Sequence, residues 1–293
     1  MTDAVRTSED ALEGLPDFPY RSHYRDVGGL RLAHLDEGDG APVIFMHGEP
    51  TWSFLWRNVL APVRDSGFRC IAPDLAGFGR SDKPTDIAFY SYDRHVELVA
   101  TLLEDLDLSG ATIVVHDWGG PIGLRLAIEQ RERIERLVIL DTGLFTGHQR
   151  MSDAWIAFHD FVERTEDLPV GMLVRGACKT DPGDDVIAAY DAPYPDAASK
   201  AGARAFPLML PQSPDAPGAA AGQRVLEQLR DDRRETLMLW ADSDPVLPVS
   251  TGERFAEAIG RPAPRIIPDA SHFLQEDQGP LIGGLIADWL TAA

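Results

Sequence analysis

The sequence predicts an α/β protein with a mostly parallel central sheet, helices on both faces of the sheet and an inserted all-helical segment. Short runs rich in β-branched and apolar residues alternate with stretches of helical period up to about residue 142. This alternation stops there and returns near residue 225. A chain of 293 residues is long enough for one large core that carries such an insertion.

Residues 1–20 have the irregular, proline-containing pattern of a lead-in segment. Strands are then predicted at 24–27, 30–35, 41–46, 68–72, 112–115 and 136–141. Helices are predicted at about 53–65, 93–106 and 119–131. Because strands that alternate with helices pair in parallel, the carboxyl ends of the central strands should meet at one edge of the sheet. Ligands of such sheets bind at that edge.

Residues 143–224 are predicted to form a helical cap subdomain that covers the strand ends. Helical segments are predicted at 152–165, 170–178, 184–190 and 197–205. The tract 207–222 is rich in Pro, Ala and Ser, which predicts a linker that returns to the core. Strands at 236–240 and 265–267 and helices at 250–259 and 280–290 follow. The predicted core therefore comprises residues 1–142 and 225–293.

Composition excludes several classes of partner. A formal net charge of -20 argues against binding to nucleic acid or to an anionic membrane, and favours a neutral substrate over an anionic one. No apolar run is long enough for a membrane-spanning helix, and the polar N-terminus does not resemble a signal peptide. Cys70 and Cys178 match no metal or redox spacing. We therefore expect reduced thiols, no metal site and a cytoplasmic protein.

The stretch around Asp117 is the strongest functional signal in the sequence. The buried strand 112–115 runs directly into this aspartate, and a helical pattern opens at Gly119. A strand, a sharp turn with a reactive side chain and a helix make up a nucleophile elbow, in which most enzymes place Ser or Cys. A carboxylate is already ionised at neutral pH, so it can attack a carbon that bears a leaving group and form an ester. The alternative is that Asp117 only caps the helix that follows.

Two further residues follow later predicted strands in the order that α/β-hydrolases use, nucleophile, acid and then histidine. Asp244 follows strand 236–240, and His272 follows strand 265–267. Once Asp117 carries an ester, a histidine base is needed to deprotonate water, and a carboxylate is needed to orient that histidine. Asp242 is the alternative acid. His272 as a buried structural histidine and Asp244 as a turn former remain open alternatives.

Four motifs resemble those of haloalkane dehalogenases, most closely the first subfamily. They are HGEPTW at 47–52, GFGRSDKP at 77–84, DWGG at 117–120 and SHFLQED at 271–277. The cap tracts 188–196 and 200–207 are also similar to that subfamily, so the resemblance covers nearly the whole chain. It implies an α/β-hydrolase fold with a helical cap.

The resemblance also implies a role for individual residues. Asp117 would displace halide from a saturated carbon, with His272 and Asp244 completing the triad. The indoles of Trp118 and Trp155 would bind the halide. The backbone N–H groups of Glu49 and Trp118 would form the oxyanion hole. The candidate residues of the apolar substrate cavity are Phe158, Phe161, Met172, Phe206 and Leu210.

The substrate implied by this resemblance is a small neutral halogenated alkane. Water is the co-substrate, a halide ion and an alcohol are products, and no cofactor is expected. We further expect a monomer.

Two rival functions remain open from the sequence. His116 before the nucleophile also occurs in epoxide hydrolases, in which cap tyrosines protonate the epoxide oxygen, and Tyr190 and Tyr194 are available in the cap. A non-catalytic α/β-hydrolase scaffold is the second rival, although such proteins usually lose a triad member. A fluoroacetate dehalogenase is disfavoured because this sequence has no arginines just after Asp117, and an esterase is disfavoured because it has no Gly-x-Ser-x-Gly motif.

Overall fold

A twisted sheet of eight strands forms the centre of the computed structural model, which describes residues 3–292. The strands of the chain are β1 (Ala4–Val5), β2 (Ser22–Val27), β3 (Leu30–Glu37), β4 (Pro42–Met46), β5 (Arg69–Pro73), β6 (Lys83–Pro84), β7 (Ala111–His116), β8 (Ile134–Leu140), β9 (Thr236–Ala241) and β10 (Arg265–Ile267). The order across the sheet is β10-β9-β8-β7-β4-β5-β3-β2, and β1 pairs with β6 in a separate ribbon. The six strands β10, β9, β8, β7, β4 and β5 are parallel to one another. Strand β3 is antiparallel to both of its neighbours, β5 and β2.

The central strands are apolar on both faces because helices cover both sides of the sheet. All six residues of β7 are buried. Alternate residues of one strand enter opposite halves of the core, as the two-residue period of a strand requires. Ile113 and Val115 belong to one apolar cluster, and Val114 belongs to the other. Continuous apolar runs of this kind are typical of parallel strands.

Ten α-helices lie in the described part of the chain. They are α1 (Arg57–Asp65), α2 (Tyr92–Asp105), α3 (Gly119–Glu129), α4 (Asp153–Arg164), α5 (Val170–Ala177), α6 (Asp184–Asp191), α7 (Ala201–Met209), α8 (Ala219–Asp231), α9 (Val249–Ala258) and α10 (Leu274–Thr291). Helices α1 and α10 pack together over one face, while α3 packs against α2 and α8 over the other. No helix within residues 3–292 is long and apolar enough to cross a membrane.

The predicted α/β class and the predicted strands are confirmed, and the main differences lie beyond residue 205. Only residues 210–218 of the predicted linker 207–222 lie outside helices, because α7 extends to Met209 and α8 begins at Ala219. Composition was a poor guide here: alanine favours helix strongly, and α8 buries Ala219, Val225 and Leu229 against the core.

The last helix also begins earlier than the predicted residue 280. Helix α10 starts at Leu274 and has a break at Gln278, where φ is -137°. Pro280 stands in the first turn after that break, where a missing N–H costs little. The sequence pattern therefore captured only the second segment of α10.

A buried ion pair connects three parts of this fold. Arg57 at the start of α1 forms a bidentate contact with Glu276 of α10, at 2.5 and 2.7 Å, and both side chains are 3% exposed. Tyr190 of α6 donates its hydroxyl to the same carboxylate. The pair thus connects α6 with α1 and α10.

Arg57→Met should lower the free energy of unfolding by about 3–5 kcal/mol, because it leaves the Glu276 carboxylate buried without its partner. Urea denaturation would measure this change. Arg125→Met is the matched control, since Arg125 pairs with the exposed carboxylates of Asp93 and Glu129. Its loss should cost less than about 1 kcal/mol. Equal losses in the two variants would contradict the role given to the buried pair.

Candidate active site

Asp117 occupies the turn between β7 and α3. Its φ of 48° lies in the left-handed region, which non-glycine residues rarely adopt. The backbone is held on both sides, because Asp117 N–H donates to Asp141 O at 3.2 Å and Thr142 Oγ1 donates to Asp117 O at 2.5 Å. The N-cap residue of α3 is Trp118, not Asp117, and the Trp118 side chain makes no capping hydrogen bond. The helix-cap interpretation of Asp117 is therefore wrong, and the turn has the form of the predicted elbow.

The turn depends on glycine at two positions where the backbone passes very close to other atoms. A Cβ on Gly48 would lie 2.1 Å from Asp117 Oδ1. A Cβ on Gly123 would lie 2.6 Å from Val115 Cγ1, so Gly123 makes room for a valine two positions before Asp117. Larger residues at either position would displace the elbow.

The Asp117 carboxylate lies against two backbone amides and one imidazole. Glu49 N–H donates to Asp117 Oδ1 at 2.7 Å, and Trp118 N–H also faces the carboxylate. His272 Nε2 lies 3.5 Å from Asp117 Oδ2. These are the two amides predicted for the oxyanion hole, and they converge on one carboxylate.

His272 is fixed on its other side by Asp244. Its Nδ1 lies 2.8 Å from Asp244 Oδ2, and both side chains are buried. The second oxygen of Asp244 accepts the N–H groups of Val246 and Leu247, at 2.7 and 3.0 Å. The alternative acid Asp242 is exposed and instead accepts the Asp269 N–H at 2.9 Å. Asp244 is therefore the carboxylate that contacts His272.

Electrostatic interactions keep this group ionised despite its burial. Burial lowers the pKa of His272, but the Asp244 and Asp117 carboxylates outweigh it and raise this pKa well above its ordinary value. For Asp117, burial raises the pKa, but the hydrogen bond and charge of His272 outweigh it and lower this pKa. The resting site therefore holds an imidazolium between two carboxylates.

Two neighbouring carboxyls are neutral acids instead. Burial and the nearby Asp117 charge raise the pKa of Glu49 well above its ordinary value. Burial and the Asp244 charge do the same to Asp141, whose Oδ1 accepts the Ala241 N–H at 2.9 Å. Sequence reasoning treated Asp141 only as the end of a strand. The sequence signal that could have identified Asp141 is its charge at the carboxyl end of β8, the strand that pairs with β7 before the elbow.

His116, the residue before the nucleophile position, supports the histidine loop. Its Nε2 lies 2.8 Å from the backbone oxygen of His272, so this nitrogen carries the proton and donates it. Burial and the charge of His272 lower the pKa of His116 to about 4. A neutral imidazole therefore anchors the loop that carries His272.

A cavity of about 300 Å³ lies over these groups. The residues that line it include Asp117, Trp118, Trp155 and His272. Most of the other lining residues are apolar. Trp240 uses its indole N–H in the fold, donating to Leu247 O at 2.7 Å. Within residues 3–292, the indole N–H groups of Trp118 and Trp155 have no such protein acceptor. Trp118 and Trp155 thus share one cavity wall with Asp117.

The predicted cavity residues divide into two groups. Phe158 and Met172 line the cavity, whereas Phe161, Phe206 and Leu210 do not. Phe161 lies on the outer side of α4 and is 42% exposed. Phe206 packs edge-on against Trp118, at 5.2 Å between ring centroids, and so lies behind it. The lining residues that the sequence did not predict are Pro50, Leu173, Gly176, Ala177, Pro207, Pro245, Val246 and Phe273.

Known proteins resemble this chain over almost its full length. A family model described as the alpha/beta hydrolase fold matches residues 41–170. A haloalkane dehalogenase of Mycolicibacterium paratuberculosis is 42% identical over 298 residues, with 98% of both chains covered. One from Psychrobacter cryohalolentis is 37% identical, over 98% of this chain and 97% of its own. The tetrameric haloalkane dehalogenase DpaA from Paraglaciecola agarilytica matches with a TM-score of 0.91 and 34% identity, over 99% of this chain and 98% of its own.

The chain belongs to the haloalkane dehalogenase family. This confirms the family inferred from the four motifs and the predicted α/β-hydrolase fold. Haloalkane dehalogenases are hydrolases that act on carbon–halide bonds. The predicted enzyme class, a hydrolase that acts on carbon–halide bonds, is therefore confirmed.

The cap tyrosines do not serve the cavity of this haloalkane dehalogenase. Tyr190 donates its hydroxyl to Glu276, which also binds Arg57. Neither Tyr190 nor Tyr194 is among the residues that line the cavity. An epoxide hydrolase would need a tyrosine hydroxyl directed at the substrate, so the geometry disfavours that alternative.

Metal-ligating side chains are grouped elsewhere. Within residues 3–292, the one group close enough to share an ion is His159, Asp160 and Glu163 on α4. None of the three lines the cavity.

Asp117→Asn should lower the pKa of His272 by about 1–3, because the imidazolium loses one of the two carboxylates that stabilise it. Nitrogen-15 NMR titration of labelled histidines would measure this change. Asp242→Asn is the control, since that exposed carboxylate does not contact His272. An unchanged pKa in Asp117→Asn would show that the site electrostatics are wrong.

Proposed function

We propose that this dehalogenase cleaves haloalkanes through a covalent ester on Asp117. The observation that carries the proposal is the position of the Asp117 carboxylate, which faces an apolar cavity with His272 and two free indole donors beside it. A carboxylate with a lowered pKa is an anionic nucleophile that needs no separate base for the first step.

The first step is a displacement at a saturated carbon. An oxygen of Asp117 forms a bond to the carbon that bears the halogen, and the carbon–halogen bond breaks. The halide leaves with the bonding electron pair. The indole N–H groups of Trp118 and Trp155 stabilise the departing anion, which has little water around it in the cavity.

The second step is hydrolysis of the ester. Esterification removes the negative charge of Asp117, so the pKa of His272 falls. The imidazolium releases its proton to solvent, and the neutral imidazole can then act as a base. His272 takes a proton from water, and the resulting hydroxide attacks the ester carbonyl carbon of Asp117. Glu49 N–H and Trp118 N–H stabilise the oxyanion that forms. The bond between the carbonyl carbon and the alkyl oxygen then breaks, and the leaving oxygen takes the proton of the attacking hydroxyl group to form the alcohol. The carboxylate is regenerated, and the proton taken from water stays on His272 as the imidazolium of the resting site.

The proposed substrate is a small, neutral halogenated alkane. A largely apolar cavity of about 300 Å³ suits a small apolar molecule. The net charge of -20 gives no attraction to an anionic substrate. Every step uses side chains, backbone amides and water, so the proposal requires no cofactor.

We also propose that α4 to α7 form a cap over this site, within the predicted segment 143–224. The chain would return to the core between α7 and α8, because residue 224 lies inside α8.

The free cysteines Cys70 and Cys178 are consistent with a cytoplasmic protein.

A monomer stays our proposal for the assembly, although the related DpaA is tetrameric. Light scattering on the purified protein would distinguish the two states.

Halide release from 1,2-dibromoethane and 1-bromobutane tests the proposed reaction. The wild type should release halide, and Asp117→Asn should release none because an amide is not a nucleophile. Asp242→Asn, the matched control, should keep nearly full activity. No release by the wild type, or equal release by Asp117→Asn, would overturn the proposal.

Trp155→Phe should weaken bromide binding and lower kcat about 100-fold, because it removes one N–H donor from the leaving halide. Quenching of tryptophan fluorescence by bromide and steady-state kinetics would measure the two effects. Trp289→Phe on α10, outside the cavity, provides the control and should behave as the wild type. Normal bromide binding by Trp155→Phe would remove Trp155 from the halide site.

A further inference from the structure

Ser152 is the N-cap residue of α4, which begins at Asp153. Its side-chain Oγ accepts the backbone N–H of Trp155 at 3.1 Å, which caps the helix. Of the twelve residues in α4, only Trp155 and Val162 are buried. A helix that buries so little has few contacts that fix its position, so its cap matters for where Trp155 stands.

The same hydroxyl also reaches the core. Ser152 Oγ donates to Val246 O at 3.2 Å. A hydroxyl has one proton to donate and two lone pairs to accept with, so it can form both bonds at once. Val246 in turn donates its N–H to Asp244 Oδ1 at 2.7 Å. A continuous path of hydrogen bonds therefore runs from Trp155 through Ser152 and Val246 to Asp244.

This path lies in the wall between two cavities. Ser152 and Val246 both line a second cavity of about 650 Å³, which is bounded by α8, α9 and the segment before α4. Val246 also lines the active-site cavity. The hydrogen bond between Ser152 and Val246 thus joins the start of α4 directly to the loop that carries Asp244, which we call the acid loop.

We infer that Ser152 is a positioning residue that holds the indole of Trp155 at a fixed distance from the Asp244–His272 pair. This inference rests on the proposed function, because it assigns Ser152 a part in halide binding by Trp155. Its hydroxyl connects the backbone of Trp155, whose indole would bind the halide, with the loop that carries Asp244. Without this hydroxyl, α4 and the acid loop can separate at their junction, and the halide site loosens.

The test compares Ser152→Ala with Ser91→Ala. Ser91 caps α2 in the same manner, since its Oγ accepts the Arg94 N–H at 3.2 Å, but neither residue lines the active-site cavity. Both variants lose a helix cap, so both should lower Tm by about 2–4 °C. Only Ser152→Ala should raise the bromide dissociation constant, by about five- to tenfold, as expected for loss of one hydrogen bond. Ser152→Thr keeps a hydroxyl and should restore wild-type binding.

Three readouts separate this inference from the proposed function: bromide quenching, Tm and halide release. Wild-type bromide affinity in Ser152→Ala, or an equal loss of affinity in Ser91→Ala, would overturn the role of Ser152 while wild-type halide release still supported the function. Absence of halide release and bromide binding in the wild type would overturn the proposed function, and this inference with it.

Discussion

The site depends on the contact between the buried imidazole of His272 and the carboxylates on its two sides. Nδ1 lies 2.8 Å from Asp244, and Nε2 lies 3.5 Å from Asp117. Burial opposes charge on all three groups, so they stay ionised only because the charges are paired. Neutralising either carboxylate therefore changes the protonation of the imidazole. The proposed ester on Asp117 does this during the reaction, and His272 becomes a base only when the ester needs to be hydrolysed.

The parallel sheet brings these groups together. Asp117, Asp141, Asp244 and His272 follow the neighbouring strands β7, β8, β9 and β10. Neighbouring strands lie about 4.8 Å apart, so residues at their carboxyl ends are within contact distance. Asp141 joins the set, since its backbone oxygen accepts the Asp117 N–H and its side chain accepts the Ala241 N–H. A neutral carboxyl at this position provides acceptors without adding a third charge.

The sequence predicted the parts of this site that depend on local pattern. The strand before Asp117, the glycines after it and the order of Asp117, Asp244 and His272 can all be identified without tertiary information. The neutral Asp141 could not be predicted, because its protonation depends on burial next to Asp244. Helix α8 was partly assigned to a linker, because its alanines occur in a tract with several prolines.

The cavity lining was the least predictable feature. Phe158 and Phe161 lie three residues apart on α4, yet Phe158 lines the cavity and Phe161 is exposed. Helical period places such residues near one another but does not give the rotation of the helix about its own axis. That rotation depends on tertiary contacts such as the bond between Ser152 and Val246. No local pattern in the sequence contains this information.

The central claim is that Asp117 carries the substrate as an ester, and peptide mass spectrometry of a His272→Gln variant tests it most directly. This variant retains the nucleophile but lacks the base for hydrolysis. After incubation with 1-bromobutane, it should release about one bromide per active site and carry a butyl group on the peptide that contains Asp117. An unmodified Asp117 peptide despite bromide release, or a butyl group on another residue, would contradict the account.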